Sequence, residues 1–489
     1  MNLKRKKRVI FLNNEILNGK KHIHFIGIGG SGMYPLAQIL HAKGYYLTGS
    51  DNNETETLQA VRDMGIPVML GQRAENIEGA DLIVHTAAIM ADNPELIAAK
   101  ASGVPVLERS DLLGLVTSWY DNAICVAGTH GKTTTTSMVT QALYTAGIDL
   151  SAFIGGKLPC IGGSGRSGSS DIMTCEACEF VDTFLKLYPD VAVLLNIDAD
   201  HLDYFGTVEN IIKSFRKFSE NTTKAIIYNG DDANTCKAVE GISGKDMISY
   251  GLTDKNDYYA ADIRRVSGLE THFTVMYQGR ALGQITLHVA GEHNILNALA
   301  AAAAALYVGA DFASVAKGLE EFRGAGRRFD KKGEACGITL VDDYAHHPTE
   351  LTATLKAAMQ MPFREVWAVF QPFTYTRTEQ HLEEFAESLS IPTHAVLTDI
   401  MGGREKNTTP IFTRQLAEKI PGCIWFPQDE SMPDSCDERK YANFQQVCDY
   451  VTEHAQPGDL VLTMGCGDVN KVNKMILEAL KKKEEKTCK

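Results

Sequence analysis

"AICVAGTHGKTTTTSMVTQAL", residues 123–143, runs from a short apolar segment through a glycine loop into a helical pattern. Ala123 to Ala127 read as a buried strand, Gly128 and Gly131 bracket a turn, and Lys132 opens a helix. Glycines let backbone N–H groups close around phosphate oxygens, and the helix N-terminus adds a favourable dipole. Lys132 offers a cation to β and γ phosphates and Thr133 a hydroxyl to Mg²⁺, with Thr129, His130 and Thr134 in the same loop. The spacing is G-x-x-G-K-T rather than the longer G-x-x-x-x-G-K-T. The competing reading is an ordinary strand–helix turn, which Gly-Lys-Thr in a strand–loop–helix setting outweighs. The stretch predicts a loop for a nucleoside triphosphate inside a parallel α/β sheet.

A second glycine loop lies upstream. "FIGIGGSGM", Phe25–Met33, places Gly27, Gly29 and Gly32 between a strand pattern and the helical "YPLAQILHAKG". Asp51 follows nineteen positions after Gly32, where a dinucleotide fold would set a ribose-binding carboxylate. By itself the loop suits any diphosphate, in NAD or in a UDP-sugar. His85 and Arg109, at the ends of later strand patterns, are candidate contacts to the same ligand.

Between residues 20 and 118, apolar runs alternate with helical patterns closed by glycine, a βαβ series. The series restarts near 122 and again after "GAGRRFDKKGEACG". The reading is a three-domain α/β chain: an extension over 1–20, a Rossmann-like domain over 21–119, a central P-loop ATPase-type domain with a parallel or mixed sheet over 120–327, and a Rossmann-like domain over 328–489. "IGGSGRSGSS", residues 161–170, reads as a mobile loop, and "GEHNILNALAAAAAALYVGA" as a strong helix ended by Gly309.

The 489 residues carry a net charge of −13, against nucleic-acid binding as the main task. No apolar run approaches the ~20 residues of a membrane span. The basic start has no secretory apolar region and reads as a solvated extension of an intracellular protein. Eleven scattered cysteines suit a reducing, cytoplasmic compartment. Cys175 and Cys178 form a C-x-x-C pair with no second pair, so no structural zinc is expected.

Two further strand patterns end in candidate metal ligands. "DIMTCEACEF" ends in Glu176 and Glu179, and "AVLLNIDADHLDYFG" in Asn196, Asp198, Asp200, His201 and Asp203. Carboxylates and a histidine there could reach Mg²⁺ held on ATP phosphates. For His346 and His347 a solvated loop pair is the competing reading.

Six motifs now stand in order: "GTHGKTTTT", "NIDADHLDYFG", "GEHNILNALAA", "GRRFD", "VDDYAHHPTE" and "QPFTYTRT". Together they resemble the Mur ligases, from about His22 to about Asn473, and within them the alanine-adding branch. The resemblance implies an ATP-dependent ligase with Mg²⁺ that joins L-alanine to UDP-N-acetylmuramate through an acyl phosphate, acting as a monomer or weak homodimer. It gives the UDP-sugar to the N-terminal domain, ATP to the central one and the amino acid to the last. Lys132 then binds ATP phosphates, and Thr133, Glu176 and His201 hold metal. Asn294 and Asn297 match the adenine side, and Arg328 and Asp343 reach the nucleotide across a domain junction. His346 and Arg377 serve the amino acid, Arg377 pairing its carboxylate.

Departures accompany the match. The family's Glu-Ala-Asp-Glu-Ser-Asp is here "EACEFVD", so Cys178, Phe180 and Val181 replace two acids and a serine. "QPHRYTRT" is "QPFTYTRT", with Phe373 and Thr374 in place of histidine and arginine, and "GAGD" is "GCGD", with Cys466. Other Mur ligases carry a carbamylated lysine about fourteen residues after the metal histidine. Here that register falls near Phe215, between Lys213 and Lys217, and the alanine-adding branch shares the absence. A ligase that recycles whole peptides, an NAD-dependent oxidoreductase and a decayed, non-enzymatic ligase stay open as alternatives.

Overall fold

The structure is a computed structural model. It describes residues 16–266, 270–289, 291–402, 405, 407, 411–426 and 437–487. The chain forms two compact units, one running to Ala325, the other beginning at Gly326 and taking in 265–271 and 288–292.

The first unit carries two sheets. One has β1 (His22–Ile26), β2 (Tyr46–Asp51), β3 (Val68–Leu70), β4 (Leu82–His85) and β5 (Val106–Glu108) in the order β3-β2-β1-β4-β5, all parallel. In β1, Ile23 and Phe25 pack into the main core, while Ile26 joins Ile83 and Ala99 in a second cluster. Residues 23–26 of this strand are buried on both faces, and the one polar side chain among them, His24, is satisfied by hydrogen bonds.

The other sheet holds β6 (Asn122–Ala127), β7 (Ser151–Leu158), β8 (Gly163–Arg166), β9 (Ile172–Glu176), β10 (Val191–Leu194), β11 (Ala225–Asn229), β12 (Asp246–Gly251), β13 (Tyr258–Arg265), β14 (Thr271–Tyr277) and β15 (Arg280–Leu287). Their order is β15-β14-β13-β12-β11-β10-β6-β9-β7-β8. β6 lies between β10 and β9, parallel to both. Ala123 to Ala127 and Val191 to Leu194 are fully buried.

The expected mobile loop at 161–170 is corrected. Residues 163–166 form β8, antiparallel to β7 at the sheet edge. A Cβ on Gly165 would lie 2.6 Å from Pro35 Cα, in the helix Tyr34–Ala42. The glycines there serve close backbone approach rather than mobility.

The second unit has one sheet: β16 (Asp330–Ala335), β17 (Ile338–Asp343), β18 (Val366–Phe370), β19 (His394–Leu397), β20 (Ile424–Trp425) and β21 (Leu460–Met464), ordered β16-β17-β21-β18-β19-β20. Only β16 pairs antiparallel. Helices cover both faces, giving two cores, one around Leu351, Phe370 and Phe385, the other around Trp367, Phe444 and Ile476. Among the described residues no helix is long and apolar enough to cross a membrane.

Candidate active site

The phosphate loop leaves the buried end of β6 and is clipped to the segment after β10. Thr129 N donates to Asn196 O (3.0 Å). His130 N donates to Asn196 Oδ1 (2.8 Å), and Asn196 Nδ2 returns a bond to His130 O (3.1 Å). Asp198 N donates to Thr129 Oγ1 (2.9 Å). Gly128 has φ +156° and Gly131 φ +84°, and a Cβ on Gly131 would lie 2.9 Å from Asn297 Oδ1. The first helical bond onto the loop is Thr135 N to Gly131 O (2.9 Å). The amides of Gly131 to Thr134 therefore precede the bonded turn, a set of donors suited to an anion.

Lys132 lies at the start of that helix, its Nζ donating to Gly128 O (2.5 Å) and Thr129 O (2.9 Å) and 2.9 Å from Glu179 Oε2. Burial alone would push the ammonium pKa down. The Glu179 carboxylate, with Cys178 and Glu176 nearby, more than offsets this and raises it. A fixed cation beside free amide donors fits a polyphosphate.

Glu176 ends β9 and accepts from Gly155 N at 2.8 Å. A Cβ on Gly155 would lie 2.7 Å from both carboxylate oxygens, so any larger residue there would displace the carboxylate from this position. His201 has a left-handed backbone (φ +54°). Its N donates to Asp200 Oδ1 (2.7 Å), and its ring lies 4.7 Å from that of Phe180. The side chain of Asp203 lies outside those described. Among the described residues no three His, Cys, Asp or Glu side chains converge as a metal cage. Mg²⁺ commonly takes one or two carboxylates plus substrate phosphates and water, and the Glu176 carboxylate and Thr133 hydroxyl are oxygen donors of that kind, with the His201 nitrogen atypical.

Asn294 and Asn297, both buried in the helix His293–Tyr307, are joined by Asn297 Nδ2 to Asn294 Oδ1 (2.9 Å). Asn297 thereby reaches the phosphate loop at Gly131. The alanines of this helix, read above for their propensity, are buried throughout from Ala300 to Ala305, against the helix Lys132–Thr145.

The first glycine loop sits where strand order reverses, between β1 and β4, at the strands' carboxyl ends, the usual ligand crevice of a parallel sheet. Gly27 (φ +82°) and Ile28 donate to Ser50 O at 2.8 and 3.0 Å. A Cβ on Gly32 would lie 2.9 Å from Arg109 Cδ, placing that arginine against the loop. His85 Nδ1 lies 3.0 Å from Thr86 O. Asp51 Oδ2 accepts from Gly29 N at 3.0 Å, so this carboxylate braces the loop itself. Beneath lies a network that the sequence reading did not single out. Fully buried His24 bonds Thr48 Oγ1 (2.7 Å) and Glu95 Oε1 (2.7 Å), and Ser50 Oγ donates to Glu95 Oε2 (2.7 Å).

In the second unit, Arg328 and Arg327 lie 4.9 and 5.0 Å from the Tyr344 ring centre. Arg327, not singled out before, pairs with buried Asp342 (2.9 Å) and donates to Gly465 O (2.7 Å). Asp343 accepts from Phe329 N (2.7 Å) and Ala345 N (2.8 Å). Burial pushes its carboxyl up to about 6, against the lowering charge of Arg328. His346 Nδ1 lies 3.0 Å from Tyr344 O and 3.3 Å from Glu350 Oε2. Burial pulls its pKa down; Glu350 opposes, while Arg377 and Arg328 add to the fall. Thr374 is left-handed (φ +67°) and its Oγ1 accepts from Arg377 N (3.4 Å), starting the helix that carries this arginine. Gln371, 3% exposed at the end of β18, was also missed; a Cβ on Gly467 would lie 2.4 Å from its Oε1.

Three family descriptions match in chain order: Mur ligase family, catalytic domain, over 22–120; Mur ligase middle domain over 126–305; and Mur ligase, glutamate ligase domain, over 327–467. The UDP-N-acetylmuramate–L-alanine ligase of Caldanaerobacter subterraneus subsp. tengcongensis is 41% identical over 94% of this chain and 98% of its own. That of Acetivibrio thermocellus is 42% identical over 94% and 96%. The crystal structure of UDP-N-acetylmuramate–alanine ligase from Thermotoga maritima superposes with TM-score 0.78 at 26% identity, over 94% of this chain and 99% of that one. A murein peptide ligase from Psychrobacter arcticus shares the fold, with TM-score 0.72 at 24% identity over 94% and 99% of the two chains. With near-complete coverage, all three domains in order and the phosphate loop in place, the chain belongs to the Mur ligase family.

Proposed function

We propose that this chain joins L-alanine to the carboxylate of UDP-N-acetylmuramate in peptidoglycan precursor synthesis, converting ATP to ADP and phosphate. The observation that carries the reading is the about 40% identity to L-alanine ligases over nearly the whole chain, with Lys132 held at the mouth of a glycine loop. We assign the UDP-sugar to residues 21–119, ATP to 120–327 and the amino acid to 328–489, in a cytoplasmic monomer or weak homodimer.

A carboxylate does not accept an amine, because oxide would have to leave. Transfer of the γ-phosphoryl group to the sugar carboxylate gives an acyl phosphate, from which inorganic phosphate leaves once the amine has added. Lys132 and the amides of Gly131 to Thr134 neutralise charge on the transferring phosphoryl oxygens. Thr133, Glu176 and His201 would hold Mg²⁺, which when bound supplies further charge neutralisation there. Asn294 and Asn297 sit at the adenine side, with Arg328 and Asp343 as further nucleotide contacts. Gly27, Gly29 and Gly32 take the UDP diphosphate, with Asp51, His85 and Arg109 around it. Arg377 pairs the carboxylate of alanine. We assign His346, whose pKa burial lowers, as the acceptor of the proton that the amine sheds.

The test measures ADP and amide product with UDP-N-acetylmuramate and L-alanine, glycine, L-serine or a tripeptide as acceptor. L-alanine should give the highest kcat/KM. Preference for the tripeptide would make the chain a recycling ligase, and no acceptor-dependent turnover would end the ligase reading.

A further inference from the structure

The turn that follows Glu179 is backbone-strained. Val181 and Asp182 have φ +53° and +57°, and His201 has +54°. A β-branched residue in the left-handed region is an outlier that persists only when its surroundings over-determine it. They do so here. Asp182 N donates to Glu179 O (2.9 Å), Phe184 N to Cys178 O (2.9 Å) and Thr183 Oγ1 to Cys178 O (2.9 Å). The Asp182 carboxylate accepts from Tyr204 OH (3.0 Å) and Ser214 Oγ.

Two apolar side chains of this braced turn stand exposed. Phe180 is 41% exposed and Val181 46%. The Phe180 ring nevertheless has a defined place, 4.7 Å from the His201 imidazole at 51°. The same turn carries Glu179, the partner of Lys132, and follows Glu176. Two adjacent apolar side chains thus stand exposed on the turn that carries Glu179 and touches His201.

We propose that Phe180 is a positioning residue that fixes the His201 imidazole and, with Val181, forms an apolar wall over the activated sugar carboxylate. The wall is covered in the working complex by the lactyl end of the UDP-sugar, whose methyl group matches its chemistry. This rests on the reading that the carboxylate is activated beside Glu176 and His201. The wall protects the acyl phosphate from water. If water adds in place of the amine, the acyl carbon regains its carboxylate and phosphate leaves, so the net change is ATP and water to ADP and phosphate, with no amide bond formed.

The experiment is the ratio of phosphate released to amide product, in wild type, F180S, F180L and F180Y, alongside the His201 resonance in histidine-labelled apoprotein, assigned with H201Q. Wild type should release one phosphate per product. F180S should raise the ratio about threefold or more and move the His201 signal, with the KM for ATP unchanged. F180L should move the signal yet keep much of the coupling, and F180Y should preserve both. A one-to-one ratio in F180S, or a His201 signal indifferent to F180L, overturns the proposal. Absence of product from wild type would instead sink the activity reading, and the signal measured without substrates would still decide whether Phe180 holds His201. Thermal unfolding of each variant separates these outcomes from misfolding.

Discussion

Half-buried Lys132 and buried Glu179 form an ion pair: Nζ is 2.9 Å from Oε2 and 3.1 Å from Oε1, and Glu179 is 2% exposed. The lysine that should meet phosphate is thus held by a carboxylate and by two carbonyls of its own loop. Binding a nucleotide must exchange one set of partners for the other. K132A should lower kcat by about 10²–10³, the usual effect of removing one preorganised charge donor. E179Q removes the competitor and should tighten ATP binding threefold to tenfold, about 1 kcal/mol. Calorimetric titration checks it. Weaker binding in E179Q would show that Glu179 belongs to the nucleotide set rather than competing with it.

The phosphate loop was legible because its determinants are local: two glycines, a lysine and a threonine between a strand and a helix within eleven residues of Ala123. The α/β class was legible for the same reason, from the alternation of apolar runs and glycine-closed helices. What escaped depends on residues far apart in sequence. Asn196 clips His130 across 66 positions, and Glu95 meets His24 across 71. No period or spacing announces such pairs. The glycines of β8 misled because glycine marks a mobile loop or a close backbone approach equally well. Only the position of Pro35 tells them apart.

Asp343 and His346 should give stability opposite dependences on pH. The Asp343 pKa is raised by burial to about 6, so its contribution is largest below the unfolded value and is lost as pH climbs through 6. The His346 pKa is lowered, by burial first, so its contribution is present above about 6.5 and is lost as pH falls through the folded value. Urea midpoints from pH 4 to 8 should show wild type losing ground to D343N as pH rises toward 6. Against H346Q it should lose ground as pH falls. Parallel curves for all three proteins would refute both assignments.

Phe215, near which the resemblance to other Mur ligases would set a carbamylated lysine, is fully buried. Its ring lies 5.1 Å from Phe184, which stacks on Phe218 at 4.8 Å and 8°. Lys213 and Lys217 are exposed on the same helix. An aromatic cluster offers a carbamate no polar partner. Activity should therefore be indifferent to removal of bicarbonate. F215K should cost more than about 3 kcal/mol in unfolding free energy, by burying an unpaired charge among apolar rings. Bicarbonate-dependent turnover in wild type would contradict this account.

Gly165 and Pro35 tie the central sheet to the first glycine loop. β8 lies so close to the helix Tyr34–Ala42 that a Cβ on Gly165 would be 2.6 Å from Pro35 Cα and 2.7 Å from Gln38 Oε1. The first of these is backbone and cannot rotate away. Pro35 stands in the first turn of that helix, directly after the loop of Gly27, Gly29 and Gly32. G165A must therefore push the helix start, and the loop with it. Overpacking of this kind costs about 1–3 kcal/mol. The KM for UDP-N-acetylmuramate should rise about fivefold or more, roughly 1 kcal/mol of binding, while the KM for ATP stays put. Gly163, two residues away on the same strand, supplies the control. A Cβ there meets nothing nearer than Gln38 Nε2 at 3.7 Å, an ordinary contact, so G163A should leave both constants unchanged. Equal effects of the two substitutions, or a shift in the ATP constant alone, would mean that the approach of β8 to the helix does not set the loop.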